Sequence, residues 1–513
     1  MNEWNDGYFT SDTYTYGYYR ELSPTFQRFM LILRGFEAPE LDENSVHCEL
    51  GFGQGVSVAI HAASKPGKYY GTDFNPSHAA HANKLAKAAE CNAKFFDDSF
   101  EQMLNREDLP QFDSISLHGI WSWISTENQH IVVEFARRFL KSGGVFYNSY
   151  NCFPGWAPNS PIREMLSLYD KYAGSNNANT YKRVEAALKF AEDLLAAKPI
   201  YAAKVPGITA TLESTKKYDH NYLAHEYLNR YWTCMYFSEV AEILSAAKLE
   251  FACTALPADA IDQMNLTSDA IKFLSTIENP IIKEQARDYF VNSQFRKDLY
   301  IRGTRKLNSV ERMKQLLNIP FVLTTIDKIE KKCKTVLGEM TFNNPNFDAV
   351  MEYLVSDNYR PKKFADLLKD HPEIIFTNLE QLIVILTNTG SIMPCQEQSS
   401  IDKVKKNCDK LNAYLCQRAE NSTDITFLAS PVLGGALSVG RFQQIFVQSY
   451  KSGKEDVDGL VKDAWGILEA QNQRLLKEGK TLETPEENIN EFKSMATEFL
   501  EKRLPILKAL QII

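Results

Sequence analysis

Between about residues 45 and 150, short apolar runs alternate with stretches whose apolar positions recur at helical spacing, the pattern of βαβ units feeding a parallel sheet. The runs predict strands at 46–50, 69–72, 94–96, 112–117 and 145–147. Two helices stand out between them. Residues 78–89 (HAAHANKLAKAA) are rich in alanine, and residues 128–140 carry Ile131, Phe135 and Phe139 on one face before a Gly143-Gly144 stop. The expected class is α/β with a Rossmann-like core.

After Pro154-Gly155 the pattern turns helical over residues 157–230, with Ser160-Pro161 as cap and first turn and Val184, Leu188, Ala191 and Leu195 along one face. This stretch reads as an insertion. A helix at 237–247 and strands at 249–253 and 298–301 would then complete the sheet. The division that follows is a core at 1–156, a helical insertion at 157–230, completion of the sheet at 231–305, a linker or connecting helices at 306–346, and a mainly helical region at 347–513. Lys331-Lys332-Cys333-Lys334 in the linker reads as a solvated face. Short helices at 347–354 and 361–368, then 379–386 and a turn at Gly390, suit a winged-helix-like module.

Length and composition narrow the function. The 513 residues exceed what one hydrophobic core organises and suggest about two to four domains. With 57 Lys and Arg against 65 Asp and Glu the net charge is −8, so no basic excess offers itself to a phosphate backbone and nucleic acid is not the expected partner, even beside Lys403-Val404-Lys405-Lys406. The polar start Met1-Asn2-Glu3-Trp4-Asn5-Asp6 lacks the basic and apolar segments of a signal peptide. The weakly apolar stretch 427–440 is broken by Pro431, Gly434 and Gly435 and reads as core, so no membrane insertion is expected. Nine cysteines without a CxxC pair fit reduced thiols in a cytoplasm better than a disulfide framework, and no metal site is expected.

The chemistry concentrates at the ends of the strands. Glu49-Leu50-Gly51-Phe52-Gly53-Gln54-Gly55 sits where the first strand meets its crossover helix, and its three glycines permit a tight turn close to a ligand. A dinucleotide fingerprint would need glycine at position 56, where Val56 stands, and Glu49 would repel a pyrophosphate. S-adenosylmethionine, with an amino group and a sulfonium and no phosphate, suits the acid better than NAD. Asp73 ends the second strand, where a carboxylate can accept hydrogen bonds from both ribose hydroxyls. Asp97-Asp98-Ser99 follows the third strand, placed for the adenine amino group, and His118-Gly119-Ile120-Trp121-Ser122-Trp123 follows the fourth. All lie at the carboxyl edge, where open parallel sheets bind ligands. The segment Tyr14-Thr15-Tyr16-Gly17-Tyr18-Tyr19 is too aromatic for a polar tail and reads as a lid over the cofactor, with Tyr16 and Tyr19 as contacts, or else as core packing.

TYGYY at 15–19, CELGFGQG at 48–55, YGTDFNP at 70–76, HGIWSWIS at 118–125 and YNSYNCFPGW at 147–156 resemble the class I S-adenosylmethionine-dependent methyltransferases that carry a methyltransferase regulatory domain. EYLNRYW at 226–232 and FRKDLYIRG at 295–303 are similar to the regulatory region. Within that family the resemblance points to bacterial protein-lysine methyltransferases of the rickettsial type, which act on outer-membrane proteins. A composition poorer in Lys, Asn and Ile suggests a relative from another bacterium. The resemblance implies a cofactor domain interrupted by a helical insert that dimerises, then a middle region and a winged-helix-like carboxyl-terminal domain. It places cofactor contacts on Glu49, Gly51, Gly53, Gly55, Asp73, Phe74, Asp98, Ser99 and His118 to Trp121, Gly119 and Ile120 included.

Methyl transfer is an in-line displacement from a good leaving group, so a protein mainly aligns the acceptor and excludes water. A lysine acceptor of ordinary pKa about 10.4 must lose a proton first, at a cost of ~4–5 kcal/mol at pH 7. An aromatic-walled site lowers that cost, and Trp121, Trp123, Tyr150 and Trp156 are the candidate walls, with Tyr150 or Asn151 orienting the amine. The expected product is S-adenosylhomocysteine and the expected partner a lysine-bearing protein. A small-molecule or natural-product methyltransferase stands as one alternative, and a non-catalytic protein that binds S-adenosylmethionine and a partner as another.

Overall fold

The computed structural model describes residues 15–174, 179–227, 229 and 231–513; the polar start Met1–Asp6, Tyr14 of the aromatic segment, and Leu228 and Arg230 of the 226–232 motif lie outside the described residues. Seven strands form one sheet in the order β3-β2-β1-β4-β5-β7-β6. They are β1 (Val46–Leu50), β2 (Lys68–Thr72), β3 (Ala93–Phe96), β4 (Phe112–Leu117), β5 (Leu140–Asn151), β6 (Leu249–Thr254) and β7 (Phe295–Arg302). The first five run parallel, as the alternating pattern requires. β7 is antiparallel to both β5 and β6, so the two strands that complete the sheet make it a mixed one. β1 is buried along its whole length and lies between β2 and β4, as a central strand covered on both faces must be.

The helices that position the site are α1 (Pro24–Leu33), α2 (Val56–Ser64), α3 (Pro76–Ala89), α4 (Phe100–Asn105) and α5 (Thr126–Phe139). Their starts are written in local chemistry. Asn75 accepts from the Ser77 N–H with Pro76 at the first helical position, and Ser125 accepts from the Asn128 N–H. α5 ends at Phe139, and Gly143 and Gly144 fall inside β5 rather than stopping the helix. β5 is therefore longer than the apolar run 145–147 suggests, because its start pairs with Phe112 at the edge of β4.

Helices Ser160–Ala173, Thr180–Ala196, Ile200–Lys204, Ile208–Thr215 and His220–Tyr227 fill the interval between β5 and β6 around their own apolar cluster, in which Val184, Leu188, Ala191 and Leu195 are buried as their spacing predicts. The segment 306–346 is more than a linker. Helix Ser309–Asn318 leads into strand Pro320–Leu323, which is wholly buried at the centre of a second, three-stranded sheet. Farther on, helix Gln398–Ala419 lies along α2 and α3, with Cys408 Sγ donating to the Ala63 carbonyl at 3.4 Å and Asn407 Nδ2 to the Ala89 carbonyl at 2.9 Å. One apolar cluster runs from Phe26 and Phe29 of α1 through Phe321 and Phe364 to Phe446 and Phe492, each buried phenylalanine contributing about 1.5–3 kcal/mol. The residues after 347 thus share their core with the amino-terminal sheet. All nine cysteines are free thiols. Among the described residues no helix is long and apolar enough to cross a membrane.

Candidate functional site

β1 leads to β2 on one side while β4 and β5 lie on the other, so a crevice opens at the carboxyl ends of β1 and β4. A cavity occupies that crevice. Its floor is the loop from Gly51 to Gly55, where Gly51, Gly53 and Gly55 hold φ of +72°, +56° and +71°. The left-handed backbone already favours glycine, and space reinforces it. A Cβ on Gly51 would lie 2.6 Å from Ile120 Cδ1, and one on Gly55 would collide with Ala82 Cβ.

Asp73 holds this loop in shape. Its carboxylate accepts from the Gly53 N–H at 2.8 Å and the Asn75 N–H at 3.1 Å, and lies 3.0 Å from His78 Nδ1. It still lines the cavity, and a carboxylate has about four acceptor positions, so room remains for a ligand hydroxyl. Glu49 stands beside it, buried with no cation paired to it among the described residues. Burial, aided by the nearby Asp73 charge, pushes the Glu49 carboxyl up to about 8. A buried acid without a cation is satisfied by a cationic ligand group, and disfavours a phosphate.

The remaining cofactor candidates divide. Phe74, Asp98, Ser99, His118, Gly119 and Ile120 line the cavity. Asp98 is ion-paired with Arg106 at 2.7 Å, and the Ser99 hydroxyl is engaged as N-cap of α4 in a capping box with Gln102. His118 lies against the Tyr19 ring, centroids 3.9 Å apart, with Nδ1 2.8 Å from Tyr147 Oη. Burial, with Lys297 nearby, lowers it to about 3, so it stays neutral and shapes the wall instead of carrying charge. Of the aromatic segment, Thr15, Gly17 and Tyr19 line the cavity. The Tyr19 N–H donates to Ser57 Oγ at 3.0 Å, and Tyr18 Oη accepts from the Ala436 N–H at 3.0 Å, tying this cover to the carboxyl-terminal region. Tyr16 is a correction: it packs edge-on to His81 at 5.3 Å and under Arg418, away from the cavity lining.

The acceptor candidates divide more sharply. Trp123 lines the first cavity and also a second, which adds Asn151 and Trp156 and opens toward the helical insertion. Trp121 and Tyr150 are corrections. Trp121 is wholly buried with Phe112 and Phe135, and Tyr150 is wholly buried with its hydroxyl donating to Asp298 at 2.9 Å. Neither is among the described residues that line either cavity. For Tyr150 parity decides it, because successive side chains on a strand face opposite ways and Ser149 and Asn151 already face the site, whereas Trp121 lies in the short helical turn Trp121–Trp123 with its ring in the core. Sequence reasoning missed Ser57 and His78, which support the cover and Asp73, and Glu226, which lines the second cavity. The five-residue step from Asp73 to His78 across a helix start was the only local signal.

A family profile described as Methyltransferase domain matches residues 48–146, and one described as Predicted methyltransferase regulatory domain matches residues 219–302. An uncharacterized protein of Synechocystis sp. is 37% identical over 514 residues, covering 99% of this chain and 99% of its own length. Another, of Rickettsia prowazekii, is 24% identical over 521 residues, covering 94% of this chain and 90% of its own. The solved structure of PKMT2 from Rickettsia typhi in complex with AdoHcy superposes with a TM-score of 0.69, covering 97% of this chain and 100% of that one at 19% identity. That likeness shows a common fold over nearly the whole length.

Proposed function

Given that the chain belongs to the class I S-adenosylmethionine-dependent methyltransferases with a methyltransferase regulatory domain, we propose that it methylates lysine side chains of protein substrates. The observation that carries this reading is the continuity of the cofactor crevice, past Tyr19, His118 and Trp123, into a second aromatic-walled cavity that reaches the exposed tyrosines Tyr218 and Tyr222. An acceptor carried on a protein surface can enter such a space by its side chain alone. The name PKMT2 of the structural neighbour agrees with a protein acceptor.

The cavity fits the cofactor. Glu49 offers a buried negative charge to the amino group, Asp73 has acceptor capacity left for ribose hydroxyls, and the glycine loop, closely packed against Ile120 and Ala82, lines the cavity with backbone. When bound, S-adenosylmethionine supplies an activated methyl group, whose displacement requires a neutral nitrogen. Around the acceptor, Trp123 and Trp156 exclude water and disfavour the charged amine. The same faces attract a methylated ammonium by about 0.5–2 kcal/mol.

Glu49 gives this reading a pH signature. In the empty site its raised pKa means that ionisation costs stability as pH rises from the ordinary carboxyl range toward about 8, and a bound ammonium relieves that cost. Cofactor affinity is therefore expected to rise between about pH 6 and 8, by up to tenfold per unit, with one proton released. Glu49→Gln should flatten the profile in calorimetric titrations run at several pH values. A steep profile retained by the variant would move the cationic contact elsewhere.

Trp123 stands where the two cavities meet, so Trp123→Ala is expected to lower turnover at least tenfold while cofactor affinity falls less than threefold. Equal losses would make it part of the cofactor wall alone. The reaction itself is tested by incubating the protein with methyl-labelled S-adenosylmethionine and separate protein, nucleic-acid and metabolite fractions of a bacterial extract. Methyl-lysine in hydrolysed protein is the expected product. Label confined to metabolites would replace this reading with that of a small-molecule methyltransferase.

A further inference from the structure

The second cavity has a charge pattern of its own. Among the described residues that line it, Glu226 is the one carboxylate, and none is lysine or arginine. Glu226 belongs to helix His220–Tyr227 of the insertion, while Trp156 follows β5 and Phe295 begins β7, so the cavity exists only where insertion and sheet meet. Arg163, the cation that acts on Glu226 among the described residues, is spent on backbone. Its Nη2 donates to the Glu226 carbonyl at 3.5 Å and the Asn229 carbonyl at 3.4 Å, and its guanidinium lies 4.7 Å from the centre of the Trp232 ring. It steadies the segment that presents Glu226 and makes no ion pair with the carboxylate among the described residues.

We propose that this cavity is the subsite for a protonated primary amine on an unbranched alkyl stem, and that Glu226 accepts the proton the amine must lose before methylation. The inference rests on the protein-lysine reading and adds to it a residue with a role. The aromatic walls suit the stem and, by excluding water, favour loss of the ammonium proton. The carboxylate supplies the counter-charge that those walls lack. In the proton step one N–H bond of the ammonium breaks and one O–H bond forms on Glu226; the nitrogen keeps the electron pair, and the pair of charges becomes a neutral amine and a neutral acid. Solvent resets the carboxyl afterwards.

Titration agrees with this geometry. Burial raises the Glu226 carboxyl to about 7, with Arg163 and the Asn151 side chain opposing the rise. Tyr222 and Tyr227 of its own helix are electrostatically coupled to it, Glu164 from helix Ser160–Ala173 bears on Arg163, and Tyr218 and His225 line the same cavity. A carboxyl near 7 ionises when an ammonium docks and takes a proton more readily than one of ordinary acidity.

The test separates binding from turnover. In the full chain with S-adenosylhomocysteine present, saturation-transfer NMR at pH 8 with n-butylamine as probe should show binding, reduced at least tenfold in Glu226→Gln and partly kept in Glu226→Asp. Affinity for S-adenosylhomocysteine should stay within twofold in all three proteins, which checks the fold. Tyr222→Lys, at a position 44% exposed and therefore tolerant, should also weaken the amine by placing a cation at the mouth. The proposal is overturned if the unaltered protein does not bind the amine, or if Glu226→Gln and Tyr222→Lys bind it as the unaltered protein does. Amine binding without methyl-lysine formation would instead remove the protein-lysine reading and leave the amine subsite standing.

Discussion

Replacing Asp73 with alanine is expected to weaken S-adenosylmethionine binding about a hundredfold, equivalent to ~2.7 kcal/mol, as measured by calorimetric titration. Two losses combine. The ribose loses its acceptor, and the loop loses the anchor that receives the Gly53 N–H at 2.8 Å and the Asn75 N–H at 3.1 Å. Hydrogen bonds to a charged group contribute about 1.5–3 kcal/mol each, and an N–H left buried without a partner costs about 1–3 kcal/mol. The effect on folding should stay smaller than on binding, because folding loses only the loop's anchor whereas binding loses the anchor and the ribose contact together. Asp73→Asn should fall between the two proteins, since its amide has one oxygen where the carboxylate has two. Affinity within twofold of the unaltered protein would place the ribose contact on another side chain.

A larger loss of stability is expected from Arg296→Ala. The guanidinium, 4% exposed, meets Glu284 at 2.8 Å, Asp288 at 2.5 Å and Asp298 at 2.8 Å, and lies 4.5 Å from the centre of the Phe237 ring. Asp298 and Asp288 are themselves buried, so its removal leaves acids without a counter-ion where water does not reach. Breaking a buried pair in this way costs about 3–5 kcal/mol. Burial already raises Asp298 to about 6 with the arginine present, and without it both aspartates would rise further. The variant's deficit should therefore be greatest near pH 8 and shrink toward pH 5 as the carboxyls take up protons. Urea unfolding followed by circular dichroism at the two pH values measures it. A deficit that does not change with pH would mean that packing against Phe237, and not charge, is what Arg296 contributes.

These two sites differ in how far they are legible without coordinates. Glu49, the glycine loop, Asp73 and the residues after β3 and β4 are written at strand ends, where local pattern and chemistry coincide, and the structure brings them to one cavity. The Arg296 cluster has no such signature. Its members lie on a helix and a strand at positions 284, 288, 296 and 298, and ordinary surface ion pairs have the same spacing. Trp121 and Tyr150 show the opposite failure, since aromatic residues beside a site look like its walls until the face each occupies is known. For Tyr150 that face was within reach, as it alternates with Ser149 and Asn151 along β5.

The sequence by itself determined the α/β class, the parallel strands β1 to β5 and the cofactor edge, because each rests on contacts between near neighbours: apolar period, helix caps, and glycine where φ is positive. Only the tertiary structure decided that β7 runs antiparallel, that the residues after 347 share a core with the amino-terminal sheet, and that Glu226 of the insertion faces the cavity shared with Trp123. Those features join segments distant in the chain. Their energy comes from burying surfaces against each other, and no local pattern records which apolar face meets which.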